Sequence, residues 1–324
     1  MLKSTFYLKQ LFLLQSVENP ASQEADKINT LFNYFNIAAA AMLLLVGFLI
    51  AYICIRYRQK KGESSEPVQP RPNKWLEALM IGGPFLLLVF FFSQTLSVMH
   101  SVTPSEKAIA RTPDVIITGH QWWWQVEYPG AKVLTANEVH LPVKTPLLLE
   151  MRSADVIHDW WVPELGNKMD LIPSKKNYLS LNINKPGVYI GACSEFCGAQ
   201  HAWMRIRVIA QTPADFKKWL AENEKDANQP TDSLAITGAH LFQTKTCANC
   251  HRIQGTAATA TAGPDLTHLA ERNELLTGLL SNNKENLFKW VDNPQQIKPG
   301  AHMPDFKFKK DTVDAIVHYL LELK

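Results

Sequence analysis

Two short cysteine-containing segments hold the residues best suited to chemistry. In Cys193-Ser-Glu-Phe-Cys197-Gly-Ala-Gln-His201-Ala-Trp-Met204, thiols, an imidazole and a thioether share a single stretch. Soft donors of this mixture suit copper or zinc rather than calcium or magnesium, and the thioether favours copper. Two cysteines this close can each bridge two metal ions, giving a compact Cu-S-Cu-S core with one histidine on each copper. His201 is one such histidine, and His158, in Asp-Val-Ile-His-Asp-Trp-Trp-Val-Pro upstream, is the expected source of the other. A Cys193–Cys197 disulfide and a tetrahedral zinc site are the competing uses, and zinc leaves Met204 without a role.

The second segment, Cys247-Ala-Asn-Cys250-His251, is the C-x-x-C-H sequence of covalent haem attachment. Thiols one helical turn apart can both add to the vinyl groups of one porphyrin, and the adjacent histidine can then turn onto the iron. A redox dithiol or half of a zinc site are the alternatives. For the remaining axial position the candidates are Met303, in Lys-Pro-Gly-Ala-His-Met-Pro-Asp-Phe, and the histidines His268 and His302. A thioether ligand raises the reduction potential, and a methionine in a Pro/Gly-rich loop ahead of the last helix makes Met303 the preferred choice.

The elements that must position these groups are visible in the hydropathy pattern. Residues 31–57 contain no charge before Arg56, and residues 76–99 contain only Glu77. Each run exceeds the roughly 20 apolar residues needed to cross a bilayer, so two transmembrane helices are expected. The loop 58–75 between them is rich in Arg and Lys, which places it in the cytoplasm and both termini on the opposite face. Residues 1–30 then form an exported segment whose short apolar patch makes a candidate signal peptide. Residues 101–212 alternate in the manner of short strands punctuated by Pro and Gly, which predicts a small antiparallel β-sandwich or barrel. Residues 213–234 read as a short helix and a polar linker, and residues 235–324 as a mostly helical domain. The net charge of +3 announces no nucleic-acid-binding face. Residues 101–210 carry eleven Lys/Arg against ten Asp/Glu, so this domain is not built to attract a cationic partner by net charge.

Residues 235–324 resemble a class I c-type cytochrome: a leading helix, the C-x-x-C-H segment, Gly263-Pro264-Asp265-Leu266 and the late Met303-Pro304 match that pattern. The resemblance implies an all-α fold with one covalent haem c held by Cys247, Cys250, His251 and Met303, and it implies that the Pro264 carbonyl orients His251. From the first apolar helix to about residue 212, the Cys193–Met204 segment, the upstream Val-Ile-His158-Asp-Trp-Trp-Val-Pro and Gly-His-Gln-Trp122-Trp-Trp resemble subunit II of cytochrome c oxidases. That likeness implies a transmembrane hairpin followed by a cupredoxin-like β-sandwich. It also implies a dinuclear copper A centre held by His158, Cys193, Cys197, His201, Met204 and the carbonyl of Glu195. The Glu195 side chain would face a magnesium ion shared with the catalytic subunit I, since carboxylate oxygen suits a hard cation. Trp122 would be where electrons enter, with Trp123 and Trp124 as interfacial or core aromatics. Glu77, ahead of Pro84, would mark a cytoplasmic proton path, although Met80 and Ile81 stand where the family has Trp-Thr.

The expected function is electron relay in a bacterial inner membrane, with the copper and haem domains on the periplasmic side. The upstream donor would be a cytochrome c or a cytochrome bc-type complex, and oxygen chemistry would belong to subunit I, because neither span has a histidine before His100. The same subunit type in a nitric oxide reductase and a copper-binding assembly factor are the alternatives. A quinol oxidase subunit would lack the copper ligands.

Overall fold

The computed structural model describes residues 18–58, 62 and 71–324. Most of the candidate signal peptide and most of the basic loop lie outside the described residues. The chain divides into two compact units, Lys27–Val102 on one hand and Thr103–Lys324 with the residues before Lys27 on the other.

The first unit is a helical pair, α1 (Gln23–Arg56) and α2 (Lys74–Val102). Each is capped by a polar side chain just ahead of it: Ser22 Oγ accepts from the Ala25 amide at 3.0 Å, and Asn73 Oδ1 from Trp75 at 3.1 Å. The helices therefore begin before the apolar runs. At 34 residues α1 is about 50 Å long, more than a bilayer core requires. Leu43, Leu44, Ile55 and Ile81 are all more than 70% exposed, and the bare apolar surface continues around both helices. Helices apolar on every face, without protein covering them, are matched to lipid rather than water. Phe35 and Phe91 meet edge-on at 5.8 Å, tying the hairpin together. Glu77 lies in the first turn of α2 and is exposed.

The second unit begins with a sandwich of two five-stranded sheets. One has the order β3 (Val133–Ala136), β2 (Trp123–Tyr128), β1 (Val115–His120), β5 (Leu147–Ser153), β8 (Asn177–Leu181). The other has the order β4 (Glu138–Pro142), β10 (Arg205–Gln211), β9 (Gly187–Cys193), β6 (His158–Trp161), β7 (Met169–Leu171). Alternation does the sorting: along β10, Ile206, Val208 and Ala210 point inward while Arg205 and Arg207 do not. Between the sheets Trp124 is fully buried and meets Trp160 edge-to-face at 5.2 Å. The expected antiparallel sandwich needs one correction, because β1 pairs with β5, and β4 with β10, in parallel. Alternation decides which face a side chain takes but carries no information about the direction of a partner strand.

Helix α3 (Pro213–Asn223) starts on Thr212, whose Oγ1 accepts from the Asp215 amide, with Pro213 at the first position. Its Phe216, Trp219 and Leu220 pack on the sandwich core, and Trp219 stacks on His140 at 4.0 Å. The first half of the expected linker is thus a helix held by the sandwich. The helical domain follows with α4 (Ser233–Thr244), α5 (Lys284–Asp292) and α6 (Lys310–Leu320). Helices α4 and α6 touch at Gly238, where a Cβ would stand 2.0 Å from the Ala315 carbonyl oxygen. Phe242, Ile253, Val313, Ile316 and Tyr319 form the core there.

Candidate metal centre and haem site

The sulfur-rich segment is the loop between β9 and β10. Its ends are held together by the sheet, since the Cys193 amide donates to the Met204 carbonyl at 2.9 Å. Strand β6 is the other neighbour of β9, with Trp160 opposite Cys193, and this register brings His158 to the loop. Cys193 Sγ and Cys197 Sγ are 3.7 Å apart. Around them stand His158 Nδ1 at 4.0 Å from Cys193, His201 Nδ1 at 3.5 Å and Met204 Sδ at 3.8 Å from Cys197, and the Glu195 carbonyl at 3.3 Å from Cys193. His158 and Met204 are fully buried and both cysteines nearly so. The Glu195 side chain points to the exposed face of the loop.

The electrostatics ask for a cation. The neighbouring Cys197 thiol, and then His158, pull the Cys193 thiol far below its ordinary pKa, while Cys193 and burial push the Cys197 thiol up. Two sulfurs at this distance cannot both be thiolates without positive charge between them. The donor set of two thiolates, two imidazoles and a thioether fits copper.

Several neighbours that sequence reading had not singled out arrange these ligands. Asp155 Oδ1 lies 2.8 Å from His158 Nε2, leaving Nδ1 facing Cys193. Burial pulls the His158 pKa down, but the hydrogen bonds to Cys193 and Asp155 outweigh it and leave the ring raised. Gly119 lies flat against the same ring: a Cβ there would be 2.8 Å from His158 Cδ2. The spacing Asp155-x-x-His158 was a readable signal, whereas Gly119 was not.

Trp122 is half-buried, and its indole Nε1 donates to the Cys197 carbonyl at 2.9 Å. Its ring lies 5.2 Å from that of His302. Trp123 stacks on His120 and Trp124 is in the core, so only Trp122 of the three joins the sulfur loop to the helical domain.

In the C-x-x-C-H segment, Cys247 is half-buried and Cys250 exposed. His251 Nδ1 is 2.8 Å from the Pro264 carbonyl, which leaves Nε2 free for an iron. Burial lowers the His251 pKa, keeping the ring neutral as a ligand must be. Gly263 repeats the device seen at Gly119, since a Cβ there would be 2.7 Å from His251 Cε1. A flat imidazole resting on glycine, with one nitrogen tied to a carbonyl, suits a haem-facing ligand. Gln295 Nε2 donates to the Ala301 and Met303 carbonyls at 2.8 Å and shapes the methionine loop. Of the alternative histidines, His268 is engaged with the Lys225 carbonyl at 3.2 Å and His302 lies against Trp122.

Two family models match separate parts of the chain. Residues 131–211 match the family described as "Cytochrome C oxidase subunit II, periplasmic domain", and residues 235–324 match the family described as "Cytochrome c". The chain is 33% identical over 294 residues to the cytochrome c oxidase subunit 2 of Alkalihalophilus pseudofirmus, covering 89% of this chain and 85% of that one. It is 27% identical over 327 residues to the subunit 2 of Bacillus subtilis, covering 95% and 92%. Among solved structures, the periplasmic domain of subunit II of cytochrome oxidase from Bradyrhizobium japonicum matches at 30% identity and a TM-score of 0.34, covering 35% of this chain and 96% of that one.

Proposed function

Because this chain belongs to the cytochrome c oxidase subunit 2 family and carries a cytochrome c domain behind the copper-type domain, we propose that it is the electron-uptake subunit of a terminal respiratory oxidase. As a member of that family it is a membrane protein with a periplasmic domain and works in a haem-copper oxidase complex beside catalytic subunit I. In this reading electrons from an upstream donor pass through the cytochrome domain to the copper-type domain and on to subunit I, which reduces oxygen to water. The donor is a cytochrome c or a cytochrome bc-type complex. The two helices anchor the chain as a multi-pass protein in a bacterial inner membrane.

The observation that carries the proposal is the continuity from Met303 through His302 and Trp122 to the Cys197 loop. Copper bound at the sulfur loop and haem bound at the C-x-x-C-H segment would each supply reversible one-electron chemistry. His158, Cys193, Cys197, His201, Met204 and the Glu195 carbonyl would hold a dinuclear copper A centre. Cys247 and Cys250 would attach a haem c covalently, with His251 and Met303 as its axial ligands. His158 and Met204 are fully buried, so a metal held there would be shielded from water on that side, which would limit solvent reorganisation. Asp155 and Gly119, like Pro264 and Gly263, hold the imidazoles where a ligand is needed. Trp122 would receive electrons for the copper loop. The exposed Glu195 side chain would offer its carboxylate to a magnesium ion at the subunit I interface, and Glu77 would lie at the mouth of a proton path.

Optical and low-temperature paramagnetic resonance spectra of the purified full chain, loaded with copper and haem, test this. A haem absorption with a seven-line copper hyperfine pattern is expected. Haem with a single-copper signature would overturn the dinuclear site, and no haem absorption would overturn the cytochrome half.

A further inference from the structure

We infer that the cytochrome domain is held on the sandwich in one docked pose, clamped by Glu138, and that this pose covers Trp122 against a separate donor protein. The covering of Trp122 rests on the electron-transfer reading above. The clamp itself does not.

Two separate regions of contact fix the pose. At the copper-type loop, Gln200 is 5% exposed and its Nε2 donates to the Pro299 carbonyl at 2.5 Å. A Cβ on Gly300 would sit 3.5 Å from Ala199 Cβ, and His302 lies on Trp122. At the β4 and β10 side, the carboxylate of Glu138, 5% exposed, accepts from the Asn273 amide at 3.1 Å and the Glu274 amide at 3.3 Å. Arg207 of β10 reaches across to Glu274 at 2.9 Å, and Arg272 donates back to Thr135 Oγ1 at 3.4 Å. Glu138 and Gln200 have left water and find partners in the other domain, while Gln200 Oε1, Arg207 Nε and Arg272 Nε are buried without a hydrogen-bond partner. Encounter complexes between redox proteins, by contrast, are small and keep their charges at a solvated rim.

The tether leaves no slack. Helix α3 is packed on the sandwich through Trp219, and the chain beyond it is laid on the cytochrome domain at once. The Ala227 amide donates to the Gln254 carbonyl at 3.2 Å, the Asn228 amide to that of Lys324 at 3.4 Å, and Ala227 is buried in the cytochrome core. A swinging domain needs a linker free of the domain it carries; the side chains of Glu224, Lys225, Asp226 and Asn228 are exposed, but the Glu224 and Lys225 carbonyls lie on Gln254 and His268, so residues 224–228 are pinned to the cytochrome domain. A donor must therefore meet the cytochrome domain on its outer surface rather than at Trp122.

Amide hydrogen exchange of the full copper- and haem-loaded chain in detergent reads the pose without reference to electron transfer. In the unmodified chain, the Asn273 and Glu274 amides and the 297–303 segment should exchange at least tenfold more slowly than exposed residues 309–310. Glu138→Ala should speed the first pair at least tenfold and also speed 297–303, which Glu138 does not touch, while β5 and α4 keep their protection. Should Glu138→Ala unfold the sandwich, seen as loss of β5 protection, Glu274→Ala leaves the amides on Glu138 but removes the Arg207–Glu274 ion pair of the same contact, and should speed 297–303 in the same direction. Fast exchange at both regions in the unmodified chain, or a variant effect confined to 273–274, overturns the clamp. Excess zinc-substituted soluble cytochrome c should leave exchange at 197–203 unchanged, and added protection there would overturn the covering of Trp122. Failure of the spectra described above would leave these exchange results standing.

Discussion

Gly119→Ala isolates the positioning of His158 from every other property of the copper-type site. The backbone of Gly119 lies in an extended strand, opposite Trp124 in β2 and Ser153 in β5, so alanine meets no conformational penalty there. The added methyl would stand 2.8 Å from His158 Cδ2 and 3.0 Å from Cγ. Carbon atoms in contact prefer about 3.5–4.0 Å, so the ring has to retreat by roughly 0.7–1 Å. It has little room, being fully buried, hydrogen-bonded to Asp155 and flanked by Trp124. Overpacking of this kind costs about 1–3 kcal/mol, and a ligand displaced by that much lies well outside the ~0.2 Å tolerance of a metal site. The expected result is a lower midpoint for denaturant unfolding of the sandwich, together with loss of copper to a chelator at concentrations the unmodified chain withstands. The paramagnetic resonance spectrum should change in parallel. Unchanged copper content, spectrum and midpoint would refute the argument that Gly119 sets the His158 ring.

Asp155→Asn removes the anionic partner of His158 Nε2 while preserving shape, and should weaken copper retention by about 10–100-fold in chelator competition. Trp122→Phe deletes the indole donor to the Cys197 carbonyl, and should slow haem-to-copper electron transfer in flash photolysis while changing stability by only about 1 kcal/mol. His140 gives a pH signature: burial pulls its pKa down to about 4 from an ordinary 6.5. The unfolded chain therefore takes up the proton first, so the stability tied to the neutral ring is complete above about pH 6.5 and is lost as pH falls toward 4. The full effect approaches about 3 kcal/mol, and His140→Gln should flatten that part of the stability profile in urea titrations; equal slopes for the two proteins would dismiss it.

Much of the chemistry was legible because its residues are close in sequence. Cys193, Cys197, His201 and Met204 belong to one loop, and Cys247, Cys250 and His251 to one turn. The spans were legible too, since continuous apolar runs need no partner to be recognised. Pairing His158 with that loop was harder, because it depends on β6 lying beside β9, and the strand directions of β1 with β5 and β4 with β10 were beyond alternation. Helix α3 was visible as a helix, but its attachment to the sandwich through Trp219 was not.

By itself, then, the sequence determined the inventory: two apolar spans, a soft-donor loop, a C-x-x-C-H turn and the order in which they occur. Donor type is written in side chains, and span length in hydropathy, so both survive without a fold. Tertiary structure decided the geometry. It laid His158 and His251 on glycines, turned Asp155 and the Pro264 carbonyl toward them, and set the methionine loop on Trp122 with Glu138 closing the contact. Those relations join residues far apart in the chain, and they exist only when burial removes water and leaves each polar group to find its partner in the protein.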